Sequence, residues 1–389
     1  MPGCLCSYTE IPDVVTLTRE LVKINSIPGF VHKEFGKGET YLAHWLKDFL
    51  AGFDFTVDLL PVEENRPNLI ARHRAFIPGL PTLAFSAHLD TVSADGMTID
   101  PFAAEIRNDK LYGRGACDMK GTMAVMLVAL LNWYEKYAFE PQAFNVLFIA
   151  TMGEEGGTLG ARELVKRPVP MDLVLVGEPT RLEPVIGHNG TWRFTVNTTG
   201  RSCHSSRPRL GSNAIESMMR VTGLILNEIK PEFEEIDGNA MSITKIHGGE
   251  QINIIPDACE LTVDCRYRPE TDVDRFKKTL IDKLTGIKEA EYHEILINPP
   301  FKAKENSLLL TRLEQALEDC RVQYERRYEP WYSDAGHFCA AGYDTVLWGV
   351  GDMAQAHTKD EYIEITQLNK GVEILQSFLY NCNKYFQKR

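Results

Sequence analysis

A chain of 389 residues, 44% hydrophobic and 25% charged, is long enough for a large domain plus a smaller one and has an ordinary globular composition. Its formal net charge of −12, with no block of Lys and Arg, argues against a nucleic-acid footprint or an anionic-membrane surface. Nine cysteines, an odd count without a CxxC pair, argue against a disulfide-stapled scaffold and for reduced thiols in a cytoplasmic protein. The opening MPGCLCSYTE has neither the basic nor the apolar region of a secretory signal, and the longest apolar run, 123–133, is about half of what a bilayer span needs.

In chain order, apolar residues at helical spacing predict helices over 14–25 and 41–50, on either side of a loop at 26–40. Short continuous apolar runs at 83–87, 144–150, 173–176 and 345–350 read as strands buried on both faces. Between the first two, 120–137 is long, apolar and free of Pro, and reads as a helix. This alternation predicts an α/β class, with a central mixed sheet flanked by helices. From 184 to 297 the texture changes. Strand-like alternation at 192–198 and 258–266 is mixed with helical stretches at 213–229 and 272–284, the pattern of a smaller α+β domain inserted into a larger one made of 1–183 and 298–389. Helical spacing returns at 307–320 and again from Thr366.

Residues able to bind metal collect where these strands end. His88 and Asp90 close the 83–87 run, and Glu154 and Glu155 follow the 144–150 run. Glu178 follows the 173–176 run, and His357 lies in the loop beyond 345–350. Open α/β sheets gather their ligand sites outside the carboxyl ends of strands. In His88-Leu89-Asp90 the Asp can hold one imidazole nitrogen while the other binds metal, although a buried His beside an Asp fits the same three residues. Asp118, in the Gly-rich stretch 113–121, fits a metal ligand and also a helix N-cap. Adjacent Glu154 and Glu155 would repel each other at a buried strand end without a cation, and one could ligate while the other acts as a general base. Glu178 alone fits a strand-ending turn, and His357 alone a loop histidine bonded to backbone. Together the set supplies the mixed N/O donors typical of hydrolytic zinc, with cobalt or manganese as alternatives.

The segments SAHLDTV (86–92), GRGACDMKG (113–121), GEEGG (153–157), GEPT (177–180) and AHTKDEY (356–362) resemble the M20 family of metallopeptidases and deacylases. The resemblance implies two zinc ions, with His88 and Glu178 on one, Glu155 and His357 on the other, and Asp118 bridging. It implies Glu154 as general acid/base and Asp90 as the residue that orients His88. The inserted domain would be a lid that pairs two subunits in a homodimer. Cys203-His204-Ser205-Ser206 resembles the lid motif whose histidine stabilises the oxyanion, so His204 takes that role. Gly248, Gly249, Asn253 and Pro256 resemble a second lid motif, with Asn253 and Arg266 as candidate substrate-binding residues; a surface salt bridge accounts for Arg266 equally well.

Glu178 and the Ile246-His247-Gly248-Gly249 run resemble the acetylornithine deacetylase and succinyl-diaminopimelate desuccinylase branch. The implied reaction is hydrolysis of an N-acyl amino acid, N-acetyl-L-ornithine giving L-ornithine and acetate. A desuccinylase, a dipeptidase or carboxypeptidase, and a metal-free binding protein on the same fold are the alternatives. Pro330-Trp331-Tyr332, ahead of Ser333-Asp334-Ala335, departs from the small residues of desuccinylases. His32, His44, His73, His188, His293 and His337 read as structural or surface histidines.

Overall fold

In the computed structural model, which describes residues 10–28, 38–137 and 142–388, the apolar runs become neighbouring parallel strands in the order Asn145–Thr151, Thr82–His88, Leu173–Val176 and Asp344–Leu347. Every residue of these four strands is buried, as continuous apolar runs in a sheet covered on both faces should be. Antiparallel strands extend the sheet at each side and make it mixed. Arg66–His73 and then Phe55–Glu63 lie beyond Asn145–Thr151, and Val185–His188 lies beyond Asp344–Leu347. The Phe55–Glu63 strand is largely half-exposed, so it shows no apolar run in the sequence.

The first helix, Val14–Lys23, starts where Asp13 accepts the backbone N–H groups of Val15 and Thr16, both at 3.0 Å. The second, Gly38–Ala51, begins ahead of its first apolar position. Gly121–Tyr137 packs against the C-terminal helix Ile365–Phe386, which also packs on Leu308–Asp319. The N-terminal nine residues, part of the 26–40 loop and His32 lie outside the described residues.

Two compact units emerge: Met1–Ile186 with Ala303–Tyr328 and Ser333–Arg389, and Gly187–Lys302 with Glu329–Tyr332. The short segment Glu329–Tyr332 thus joins the smaller unit although it is remote in sequence. That unit contains an antiparallel sheet in the order Ala240–Gly248, Ala258–Tyr267, Gly190–Thr199, Ala290–Asn298. Period-two alternation sends Trp192, Phe194, Val196, Leu261, Val263 and Cys265 to one face, in a core shared with Met218, Val221, Phe233, Phe276 and Leu280. Asn213 caps the helix Ala214–Leu224 by accepting the N–H of Ile215 at 3.0 Å.

Among the described residues no helix is long and apolar enough to cross a membrane. Cys117, Cys203, Cys259, Cys265, Cys320, Cys339 and Cys382 are free thiols.

Candidate metal centre

The carboxyl ends of the four parallel strands bring the predicted ligands together. Asp118 lies at the focus, in a buried turn that leads into the Gly121–Tyr137 helix. Its Oδ1 is 3.1 Å from His88 Nε2 and its Oδ2 is 3.3 Å from His357 Nε2, so one carboxylate addresses both imidazoles. Glu155 Oε1 meets His357 Nε2 at 3.0 Å. Donor atoms of His88, Asp118 and Glu155 lie within 4.8 Å of one another, as do those of His88, Glu154 and Glu178.

His88 is oriented differently from the expected relay. Its Nδ1 is 2.9 Å from the backbone carbonyl oxygen of Asp90, whereas the nearer Asp90 carboxylate oxygen stands 3.7 Å away. That carboxylate instead accepts the N–H groups of Glu154 and Glu155, each at 3.0 Å. Asp90 therefore positions the paired glutamates with its side chain and the histidine with its main chain. Residues two apart share a strand face, but that spacing does not say which Asp90 oxygen will serve.

Glu361 organises the Asp118 turn and carried no role in the sequence reading beyond its place in AHTKDEY. Fully buried, it accepts the N–H of Cys117 at 2.9 Å, of Asp118 at 3.0 Å and of Gly115 at 3.1 Å, and pairs with Arg114 at 2.6 Å. Gly115 has φ +84°, and a Cβ there would lie 2.8 Å from Thr91 Cγ2, so glycine is required at that point. Asp334 is a second buried carboxyl that went unread. Thr151 Oγ1 donates to its Oδ2 at 2.6 Å, and burial pushes it up to about 7.

The electrostatics fit a cation. Burial, then Glu178, pushes the Glu154 carboxyl well above its ordinary range, and burial with Asp118 does the same to Glu178. Burial would raise Asp118 too, but its hydrogen bonds with His357 and His88 hold it below the usual carboxylate range. Burial works to lower His88, yet Asp118, Glu178 and Glu154 hold it well above its ordinary value. Asp118 and Glu155 push His357 up to about 10. Among the described residues, the ion pairs of Asp118 and Glu155 run to histidines. Buried carboxylates at this density, beside two imidazoles, form the N/O donor set that suits divalent zinc-type ions.

The lid-motif residues lie in the smaller unit. Cys203–His204 pairs with Ile254–Ile255, and Ser205 N donates to the Asn253 carbonyl at 2.9 Å, so His204 and Asn253 are neighbours. His204 is exposed, and its Nδ1 stands 2.7 Å from Ser206 Oγ and 3.2 Å from Ser206 N. Arg266 and Arg193 share Asp264, at 3.2 and 3.1 Å, and both guanidinium groups lie over the Tyr332 ring, at 5.2 and 5.8 Å from its centroid. The departure at 330–332 thus supplies a platform for two arginines. Of the histidines read as structural or surface, His73, His188 and His337 are buried.

Against known proteins, the model of peptidase family M20/M25/M40 matches residues 84–381. An acetylornithine deacetylase of Aliivibrio salmonicida (strain LFI1238) is 29% identical over 386 residues, covering 95% of this chain and 99% of the relative. A probable succinyl-diaminopimelate desuccinylase of Staphylococcus aureus (strain MRSA252) is 30% identical over 383 residues, covering 87% and 91%. Among solved structures, an M20 family metallo-carboxypeptidase from Sulfolobus solfataricus shares the fold with a TM-score of 0.80 at 20% identity, covering 95% of this chain and 100% of that one. A dinuclear metal-binding M20 peptidase of Bacillus subtilis aligns with a TM-score of 0.68 at 16% identity, covering 95% and 98%.

Proposed function

The chain belongs to peptidase family M20/M25/M40 and is a metal-dependent hydrolase of the peptidase and deacylase type, and from that premise we propose that it cleaves the amide bond of N-acyl amino acids, N-acetyl-L-ornithine foremost. The observation that carries this reading is the Asp118 carboxylate, whose two oxygens face His88 and His357 separately. We assign two divalent ions, zinc with cobalt or manganese as alternatives, to His88, Glu178, Asp118, Glu155 and His357. When bound, such ions polarise an acyl carbonyl and acidify water.

The remaining work falls to the protein. Glu154, released from ligand duty, takes a proton from the attacking water onto a carboxylate oxygen. As the C–N bond breaks, it delivers that proton to the leaving nitrogen, so acetate and a free amine depart. Asp90 keeps Glu154 and Glu155 in place through their amides. His204 is assigned to the oxygen that gains negative charge as the acyl carbon turns tetrahedral. Arg266 and Asn253 are assigned to the carboxylate of the amino acid. The 187–302 unit is assigned as the lid and as the contact of a homodimer; exposed Leu210, Met219 and Ile246 support that assignment.

A desuccinylase is the second reading, favoured by the 30% identical staphylococcal relative. Comparing kcat/KM on N-acetylornithine, N-succinyl-diaminopimelate and several dipeptides, with zinc, cobalt or manganese added, tests both. Preference for the acetylated substrate supports the first reading, and preference for the succinylated one or for dipeptides displaces it.

A further inference from the structure

Four successive backbone amides in the segment that carries Glu154 are each held by a side chain. Met152 N donates to Asn68 Oδ1 at 2.9 Å and Gly153 N to Glu39 Oε2 at 3.1 Å. Glu154 N and Glu155 N donate to the two oxygens of Asp90, both at 3.0 Å. Asn68 Nδ2 also donates to the Gly160 carbonyl at 2.9 Å, so a single amide side chain ties both ends of the turn. Residues 152–155 therefore have no freedom to rotate their peptide planes without breaking a buried hydrogen bond.

Glu39 is the member of this clamp whose presence calls for explanation. A carboxylate in the first turn of the Gly38–Ala51 helix suits the helix dipole, but that benefit needs no burial, and Glu39 is only 1% exposed. Its charge is met by Arg66, which is held in turn by Glu63. The same guanidinium occupies the space where residue 153 would carry a side chain: a Cβ on Gly153 would lie 3.1 Å from Arg66 Nη2, and Gly153 has φ +66°. Glu39 thus grips the Gly153 peptide by its N–H while Arg66 packs on its α-carbon. The Met152–Gly153 peptide so held is separated by one α-carbon from the Gly153–Glu154 peptide, whose N–H Asp90 accepts.

We propose that Glu39, neutralised by Arg66, is a positioning residue that sets the direction of the Glu154 carboxylate by fixing the Gly153 peptide. The inference rests on Glu154 being the general base. A tilt of that peptide swings the Glu154 side chain away from the water while leaving both imidazoles and Asp118 untouched. Misplacing a reacting group by about 1 Å costs on the order of 100-fold in rate.

The test compares the parent enzyme with two double variants in which the buried pair is neutral, E39Q/R66M and E39A/R66M. Both remove the charge, but only the first keeps an oxygen to accept the Gly153 N–H. Metal content, kcat and KM for N-acetylornithine, and hydrogen–deuterium exchange over 152–155 are measured on each full-length, metal-loaded protein. E39A/R66M should show kcat lower by about 10–100-fold than E39Q/R66M, with KM within about 3-fold and metal content equal. Exchange over 152–155 should quicken only in E39A/R66M. Two active variants with matching kcat and exchange overturn the inference alone, as does a loss of activity that tracks lost metal. A metal-loaded parent that cleaves none of the acyl amino acids or peptides overturns the reading beneath it.

Discussion

The backbone amide of Asp118 donates at 3.0 Å to the buried carboxylate of Glu361, a residue 243 positions further along the chain. The residue that faces both imidazoles is therefore fixed from behind by a side chain that touches neither. Glu361→Ala would orphan the amides of Gly115, Cys117 and Asp118 and leave the buried Arg114 guanidinium without its carboxylate. Breaking such a pair costs about 3–5 kcal/mol. We expect a clear fall in Tm together with weaker metal binding, and Glu361→Gln, which keeps an acceptor oxygen, should lose less of both. Calorimetry and metal titration check this; equal Tm for Glu361→Ala and the parent would show that the pair does not hold the turn.

Glu154→Ala should retain fold and metal while kcat falls by about 10²–10⁴-fold, the usual contribution of a positioned base. The pH profile of the residual activity should lose its acidic limb. Steady-state kinetics and elemental analysis on one preparation decide it, and near-normal turnover in that variant would remove Glu154 from the mechanism.

Asp118→Asn should disturb both metal positions at once, because its two oxygens face different histidines. Glu178→Gln and His357→Ala should each weaken one position more than the other. Metal stoichiometry under graded chelation separates these outcomes. Chelation of the parent should also lower Tm, since a ligand bound only by the folded state stabilises it. A parent whose activity and Tm ignore a strong chelator contradicts the assignment.

Acid should destabilise the protein through two buried histidines that are not among the candidate ligands. Burial, then Arg74, pushes His73 down to about 4, and burial with Arg162 pushes His337 down to about 4. Each is neutral when folded: His73 Nδ1 accepts the N–H of Ala75 at 3.2 Å, and its ring stacks on Tyr134 with centroids 3.8 Å apart. Between their unfolded value, about 6.5, and their folded value, the unfolded chain binds the extra proton. Stability from this source is complete above that upper value and drains away as pH falls towards 4. His73→Gln cannot charge, so the stability gap between parent and variant should narrow across that window. A gap that does not change with pH, measured by denaturant unfolding, would refute the account.

Much of the architecture was legible because burial on both faces writes itself into sequence as unbroken apolar runs. The strands ending at His88, Thr151, Val176 and Leu347 were readable for that reason, and so was the gathering of candidate ligands, His and carboxylate side chains, beyond their carboxyl ends. The strands Phe55–Glu63 and Ala240–Gly248 were not, since each lies at a sheet edge with much of its surface exposed. In the centre, the candidate ligands stand out as His and paired carboxylates, whereas Glu361, Asp334 and Glu39 act through backbone amides or a hydroxyl. Nothing local distinguishes a carboxylate bound for such a partner from one bound for solvent. Asp90 shows the finer limit: the residue was identified, but the division of labour between its carbonyl and its carboxylate is decided only by where the 152–155 segment comes to rest.

The larger unit is assembled from stretches on both sides of the 187–302 insertion, and the candidate ligands follow suit, with Glu178 before it and His357 after it. During synthesis, a ribosome emits His88, Asp118, Glu154, Glu155 and Glu178 long before it reaches His357 and Glu361. A nascent chain therefore carries a cluster of acids whose second imidazole and whose brace have yet to be translated. Premature termination between Leu347 and His357 would spare the whole insertion and all four parallel strands, yet leave the candidate cluster one histidine short and the Asp118 turn without Glu361. Full occupancy of both assigned metal positions should therefore report a chain translated past His357.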